Sequence, residues 1–422
     1  MKSLELDLLK YNRHWQKDFF YPYPKKRTAF AEILPYFKKK QIIEITGLRR
    51  VGKSTLIFQL INQLKKNNID PYHLLYFTFD EAQPTIDILL RDYSLSTGLD
   101  YKKEKITLFL DEIQKLADFQ NQIKVYYDLY PNIKFIISGS TSLFIRKKTQ
   151  ESLAGRIFSF IISPLSFIEY LLFIDKQELL LKPNLYRHEL DHELKVFLYS
   201  QFIESIELKN MKDKKEYFIS IVKKIIYEDL PSIFTFDNPH LLFKIVQQIA
   251  QKPGGLINNI GLSRELGISN KTVSLYLSFL EDSFLIKKYY NFSKNLISSE
   301  KRLKKYYLAS PSFSSALVDF SDVGCLFENY LASNLVSSYF YRDVYGHEVD
   351  FVIIDKKNKF FPVEVKYKTE IKKEDINNLL LFMKKFSLNQ GYVIYRGVKR
   401  QNINQNGKKI TIIPFFETNF IY

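Results

Sequence analysis

One cysteine in 422 residues, Cys325, leaves no partner for an internal disulfide and too few thiols for a cysteine-rich zinc site. A reducing, cytoplasmic compartment is the default that follows. Long apolar runs are missing as well. None approaches the ~18 residues a membrane-spanning helix needs, so no membrane association is expected. The first twenty residues, MKSLELDLLKYNRHWQKDFF, carry charges throughout and no apolar segment, and they do not read as a secretory signal. Internal repeats and low-complexity tracts are also absent. The balance of 46% hydrophobic to 26% charged residues excludes wholesale disorder. At ~150 residues per domain, the length predicts about three domains.

Acidic residues are the minority charge, 46 against 62 basic, for a net +16. A basic surface favours phosphate-rich partners. The alternative is a composition biased toward Lys, Asn, Ile, Tyr and Phe, with no meaning for partners.

Along the chain the pattern changes several times. Residues 1–40 read as a polar-aromatic arm and a helix. Residues 41–165 alternate short apolar runs with helix-like stretches: QIIEITG, HLLYFTF, KITLFLD, IKFIISG and RIFSFII are strand candidates. Their lack of alternation predicts strands buried on both faces, hence an α/β domain with a mostly parallel sheet. Residues 166–250 carry helical periodicity and read as a helical subdomain. Residues 251–310 look like a winged helix, and 311–422 return to α/β.

The strand QIIEITG runs into Gly47-Leu48-Arg49-Arg50-Val51-Gly52-Lys53-Ser54-Thr55. This is G-x-x-x-x-G-K-[ST] between a strand and a helix, the setting that a phosphate-binding loop requires. Gly47 and Gly52 let the backbone curl so that N–H groups face a phosphate. Lys53 brings charge to the β- and γ-phosphates, and Ser54 a hydroxyl to Mg²⁺; Thr55 completes the motif. The following helix adds its positive end. Arg49 and Arg50 either touch phosphate or face solvent or a neighbouring element. An acid on a buried strand must hold the metal, and LFLDEIQ ends in Asp111-Glu112. Asp111 is expected to coordinate Mg²⁺ and Glu112 to deprotonate the attacking water. At the end of the next strand a polar group can sense the γ-phosphate. Ser138 and Ser140 are the first candidates, with Thr141 a third.

GLRRVGKST, LFLDEIQ, ISGSTS and SLAGRIFSFIISPLSFIEY, in this order, resemble AAA+ ATPases. The similarity is to the prokaryotic group whose P-loop ATPase module is fused to a winged helix and a C-terminal restriction-endonuclease-like domain. The resemblance implies a P-loop NTPase (AAA+) parallel sheet with a helical lid, a winged helix-turn-helix and a nuclease-like α/β domain. It also implies ATP and Mg²⁺ as cofactors. Arg156, in Leu153-Ala154-Gly155-Arg156, would be an arginine finger supplied locally or across a homo-oligomer interface.

Within 251–310, Leu262 and Leu266 share a helix face, Gly267 fits a turn, and Ser269 fits the cap of a second helix bearing Val273, Tyr276, Leu277 and Leu280. Asn270, Lys271, Thr272 and Ser274 would then face a DNA groove. Ten bases against four acids support DNA as a partner; a packing module is the alternative. Further on, 324–337 read as a helix carrying Glu328. Asp350 starts an apolar strand, and Glu364 and Lys366 lie two apart on the next, so on one face. This arrangement resembles the PD-(D/E)xK nucleases. The resemblance implies a second Mg²⁺ or Mn²⁺ on Asp350 and Glu364, Glu328 as an auxiliary acid, and Lys366 polarising water. The nearby His347 is read as polar surface.

The function expected is an Mg²⁺-dependent ATPase acting as a switch, DNA-associated. The alternatives are an ATP-regulated metal-dependent nuclease and a non-catalytic regulator with an inactive nuclease-like domain.

Overall fold

The computed structural model describes residues 8–140, 153–294, 299 and 303–417. It divides into two compact units, Met1–Ile162 and Ser163–Tyr422. Among the described residues no helix is long and apolar enough to cross a membrane.

The first unit is built on five strands: β1 (Ile42–Thr46), β2 (Leu74–Thr78), β3 (Ile106–Asp111), β4 (Ile133–Gly139) and β5 (Ile157–Ile161). All pair in parallel, in the order β2-β3-β4-β1-β5. These are the five apolar runs of the sequence. The three inner strands are almost wholly buried because helices cover both faces of a parallel sheet. Edge strand β5 is the half-exposed one. Helices α1 (Lys53–Lys66), α2 (Ile86–Thr97) and α3 (Phe119–Leu129) supply the crossovers. Thr85 caps α2 by accepting from Ile88 N, and left-handed Gly98 ends it.

The other edge strand, β2, is covered by the N-terminal arm. The Asn12 amide mimics a strand residue: its Nδ2 donates to Tyr76 O at 3.0 Å, and its Oδ1 accepts from Tyr76 N at 2.7 Å. Trp15 Nε1 donates to Leu74 O, and a His14 ring nitrogen lies 2.9 Å from the same oxygen. The edge is thereby closed to pairing with another chain. The arm then crosses α1, where Tyr21 stacks on Phe58 at 4.2 Å between ring centres and Lys65 Nζ donates to the carbonyls of His14, Gln16 and Phe19.

The second unit begins with helices α4 (Phe167–Phe173), α5 (Arg187–Leu198), α6 (Met211–Lys224) and α7 (Pro239–Gln251). Pro164-Leu165-Ser166-Phe167 is a capped helix start: Glu169 N donates to Ser166 Oγ, and Ser166 N to the Glu169 carboxylate. Phe167 packs on Phe197 and Phe415. Next come β6 (Gly255–Ile257), α8 (Asn259–Leu266), α9 (Asn270–Asp282), β7 (Ile286–Asn291) and β8 (Lys304–Leu308). Gly267, at φ +67°, makes the turn between the two helices, and Ser269 caps α9 by accepting from Thr272 N. Strand β8 runs antiparallel to both β6 and β7.

After α10 (Pro311–Val318) and α11 (Val323–Asn334), β9 (Tyr339–Arg342) and β10 (Glu348–Val349) extend that sheet to the order β10-β9-β7-β8-β6. A second sheet follows, from β11 (Phe351–Ile354), β12 (Phe360–Lys366), β13 (Gln390–Tyr395), β14 (Gln401–Gln405) and β15 (Lys408–Pro414), with α12 (Asn377–Lys385) between β12 and β13. Its order is β11-β12-β13-β15-β14. Asp350 is the one residue between β10 and β11, so it sits where the chain passes from one sheet to the other. One apolar core gathers residues from Leu165 to Phe416.

Candidate functional site

The loop after β1 has the shape its glycines predict. Gly47 stands at φ +143°, and a Cβ there would lie 2.2 Å from Ile162 O, so only glycine fits. Gly52, at φ +91°, opens α1 in the left-handed region, and Arg50 is also left-handed at +68°. Lys53 is buried, its ammonium donating to Gly47 O at 3.0 Å and Leu48 O at 3.1 Å. Arg49 is half-buried and Arg50 exposed.

Asp111 ends β3 beside this loop, and its carboxylate collects neutral donors. Ser54 Oγ donates to Oδ2 at 2.5 Å, Tyr76 OH to Oδ2 at 3.0 Å, and Glu112 N to Oδ1 at 3.1 Å; Ser138 Oγ, at the end of β4, donates to Oδ1. The loop, β3 and β4 thus deliver Lys53, Ser54, Asp111 and Ser138 to the carboxyl ends of neighbouring strands, where open α/β sheets bind ligands. Ser54 Oγ and Asp111 form a hard-oxygen pair, the donor chemistry that fits Mg²⁺. Thr55 is half-buried in the first turn of α1.

Glu112 adopts a left-handed backbone, φ +51°, uncommon for a non-glycine residue and frequent at functional positions. Its carboxylate accepts from Gln114 Nε2 and, at 3.3 Å, from Ser140 Oγ. Burial pushes its pKa upward, against the pull of Lys53. Ser138 and Ser140 therefore separate: the first holds Asp111, the second Glu112. Thr141 lies outside the described residues.

Arg156 precedes β5. Its carbonyl accepts from Ile42 N at 2.7 Å, which places it at the start of β1. The loop is at the other end of that strand, about 16 Å away at ~3.3 Å per residue. Its guanidinium pairs with Asp128, at 3.1 and 3.2 Å. In its own chain Arg156 thus stands at the end of β1 opposite the loop.

Three residues of this site carry no motif. Tyr76 and Gln114 hold the two acids, and Arg27 NH1 donates to Val51 O at 2.8 Å, bracing the loop from the arm. A lone polar side chain making one such bond leaves no spacing signature to find.

In the second unit, Asp350 sits half-buried immediately before β11, and Glu364 is buried on the neighbouring strand β12. Val365 N donates to Asp350 Oδ2 at 2.7 Å, and Lys366 Nζ to Glu364 Oε1 at 2.6 Å. Glu364 Oε2 is buried with no partner. Burial, then each other's charge and that of Glu328, drives the Asp350 carboxyl well above the usual range; burial also raises Glu364, against Lys366. Glu328, on α11, is engaged elsewhere: it accepts from Tyr307 OH at 2.5 Å and lies 3.5 Å from Lys305. Among the described residues, no three His, Cys, Asp or Glu groups converge to hold a metal ion. Asp350 and Glu364 are hard-oxygen carboxylates, the donor type that Mg²⁺ and Mn²⁺ take. His347 is exposed and paired with Asp343, at 2.8 Å.

On the helix-turn-helix segment, Asn270, Lys271 and Ser274 are exposed, Ser274 also accepting from Asn259, whereas Thr272 is half-buried and bonds the Ser269 cap. The basic count from sequence overstates its outward charge. Lys305 is 3% exposed, Lys287 donates to Ala332 O and Leu335 O, and Lys288 pairs with Glu281. Lys301 and Arg302 lie outside the described residues.

Against known proteins, residues 39–171 match the AAA domain family. Residues 197–323 and 323–416 match two domains of unknown function, DUF8612 and DUF4143. One uncharacterized protein of Methanocaldococcus jannaschii is 31% identical over 290 residues, 63% of this chain and 59% of that protein. A second from the same organism is 25% identical over 398 residues, 90% of this chain and 88% of that protein. The chain thus spans less than two thirds of the first relative's length. Among solved structures, Cdc6p of Pyrobaculum aerophilum is similar at 10% identity and a TM-score of 0.31, over 73% of this chain and 97% of that one. The first unit is an α/β fold with the parallel five-stranded sheet of AAA-type P-loop proteins.

Proposed function

We propose that the chain is an Mg²⁺-dependent ATPase that works as a switch and acts in association with DNA. The carrying observation is the convergence of Lys53, Ser54 and Asp111 at a loop where only glycine fits at position 47. In this reading Lys53 leaves the Gly47 and Leu48 carbonyls for the β- and γ-phosphates. Ser54 and Asp111 exchange their mutual hydrogen bond for the cation. Mg²⁺ supplies charge neutralisation on the phosphates. Glu112, raised by burial, orients and deprotonates the attacking water, and Ser140 keeps its carboxylate aimed. Arg156 acts in trans, so turnover depends on assembly.

Purified protein is expected to hydrolyse ATP. Lys53→Ala should abolish nucleotide binding, and Glu112→Gln should bind ATP but turn over at least ~100-fold more slowly. Unchanged nucleotide affinity in Lys53→Ala would sink the assignment. Exposed Asn270 and Lys271 at the start of α9 support the DNA association.

A second reading, an ATP-regulated nuclease, is favoured by the open Glu364 Oε2 beside Asp350 and Lys366. Plasmid cleavage with Mn²⁺ that vanishes in Asp350→Ala is its expected result; cleavage persisting in the variant removes it.

A further inference from the structure

The N-terminal arm carries no motif, yet it reaches the loop site at two points. Arg27, 8% exposed, stands at the start of the short helix Thr28–Ile33, whose Phe30 and Ile33 are buried. Its NH1 donates to Val51 O at 2.8 Å, inside the loop. The stretch before it is laced to α1, the helix that opens with Lys53 and Ser54. Asn62 Nδ2 donates to Tyr21 O at 2.8 Å, and Gln59 Nε2 to Tyr23 O at 3.0 Å and Lys25 O at 2.7 Å. At the second point Asn12 makes two hydrogen bonds to the backbone of Tyr76, whose hydroxyl donates to Asp111 Oδ2 at 3.0 Å. The Tyr76 ring lies against Phe58, on which Tyr21 of the arm stacks.

We propose, resting on the ATPase reading above, that the arm is a working part of the nucleotide site: Arg27 positions the phosphate loop, and Asn12, acting through Tyr76, positions Asp111. Among the described residues no peptide bond is cis, so each carbonyl and the N–H that follows it point opposite ways. Holding Val51 O on Arg27 therefore sets the direction of Gly52 N–H, one of the groups that such a loop turns on a phosphate. Gly52 has no side chain to limit its own rotation, so the hold must come from a neighbour. Asp111 Oδ2 accepts from both Ser54 Oγ and Tyr76 OH. Once Ser54 turns to the cation, Tyr76 is the hydroxyl that stays on Oδ2 and keeps the carboxylate aimed. An arm that leaves α1 and β2 gives up both holds together. By linkage, nucleotide binding tightens the arm to the same extent that the docked arm tightens nucleotide.

The test is equilibrium binding of a non-hydrolysable ATP analogue to the full chain, with and without Mg²⁺, beside thermal melting. Arg27→Met, which keeps an apolar stem and loses the donor, is expected to weaken binding at least ~10-fold in both conditions. Tyr76→Phe keeps the ring on Phe58. It should bind as the parent does without Mg²⁺ and lose at least ~10-fold in affinity with it. Asn12→Leu should repeat the Tyr76→Phe pattern with a smaller loss. A strap that only holds the fold together predicts lower melting temperatures with both affinities unchanged, and that result overturns the proposal. Should Arg27→Met not fold, Gln59→Met, which frees Tyr23 and Lys25 from α1, carries the same comparison: weaker binding supports the proposal and parental binding ends it. A parent that does not bind the analogue removes the ATPase reading and this inference with it. A parent that binds, with every variant matching it, removes this inference alone.

Discussion

The two acidic sites satisfy their carboxylates by opposite means. Around Asp111 the donors are neutral: three hydroxyls and one backbone N–H. Around Glu328, Glu348 and Glu364 they are mainly ammonium and guanidinium groups. Neutral donors orient a carboxylate while leaving its charge for an arriving cation. Cationic donors cancel the charge and make an arriving cation compete. In the proposed reading the first arrangement waits for a cation, whereas the second already carries its counter-ions.

The comparison breaks most visibly at Asp111. Asp111→Asn keeps the volume and an acceptor for Ser54 but deletes the charge meant for the cation. Turnover of ATP is expected to fall at least ~100-fold, with little change in the melting temperature of the nucleotide-free chain. Near-parental turnover would mean that the neutral-donor shell serves only packing.

A third buried acid sharpens the contrast. Glu44 on β1 is 3% exposed and accepts from Ser159 Oγ, its lateral neighbour on β5. Burial pushes its carboxyl from the ordinary 4.5 up to about 7. A raised acid favours the folded state below its unfolded value and loses that contribution as pH rises through the folded one. Between pH 4.5 and 7 the loss approaches about 3 kcal/mol, at ~1.4 kcal/mol per unit. His14 works in the opposite direction: burial lowers it to about 4, so its contribution is lost as pH falls from 6.5. Glu44→Gln should therefore remove only the alkaline-side loss. Urea unfolding at pH 5 and pH 8, parent against variant, isolates it; identical pH dependence in the two would show that Ser159 alone accommodates the charge.

What was legible in the sequence follows the same physical line. The five strands of the first unit were readable because a parallel strand buried on both faces must be a short apolar run. The loop was readable because two glycines, a lysine and a serine at fixed spacing stand between a strand and a helix. Asn12, Arg27 and Tyr76 were not, since each acts through one or two hydrogen bonds to a partner far away in the chain. Lys305 is the instructive miss. In the sequence it is one more base in a basic stretch, and nothing in a charge count separates a lysine facing solvent from one 3% exposed among carboxylates. The register that puts it beside Tyr289 and Leu256, with its ammonium on Glu348, exists only in the folded sheet.

The smallest expected effect tests the second half of the contrast. Asp350 is half-buried where the two sheets of the second unit meet, and its carboxyl is driven upward by desolvation and by Glu364 and Glu328. Its proton is therefore favoured in the folded chain, and that contribution drains away as pH rises above the ordinary carboxyl range. Asp350→Asn keeps an oxygen for Val365 N and never ionises. The variant should be more stable than the parent at pH 8, by about 1 kcal/mol, and the gain should shrink toward zero at pH 4. Lys305 and Lys366 are what keep the gain small, because they already offset part of the charge the substitution deletes. The same substitution placed in Lys305→Met should therefore yield a larger gain at pH 8, read by the same melts. A gain that is no larger there would mean that the ammonium of β8 and the carboxyl of Asp350 do not sense each other, and that the two sites differ in composition but not in kind.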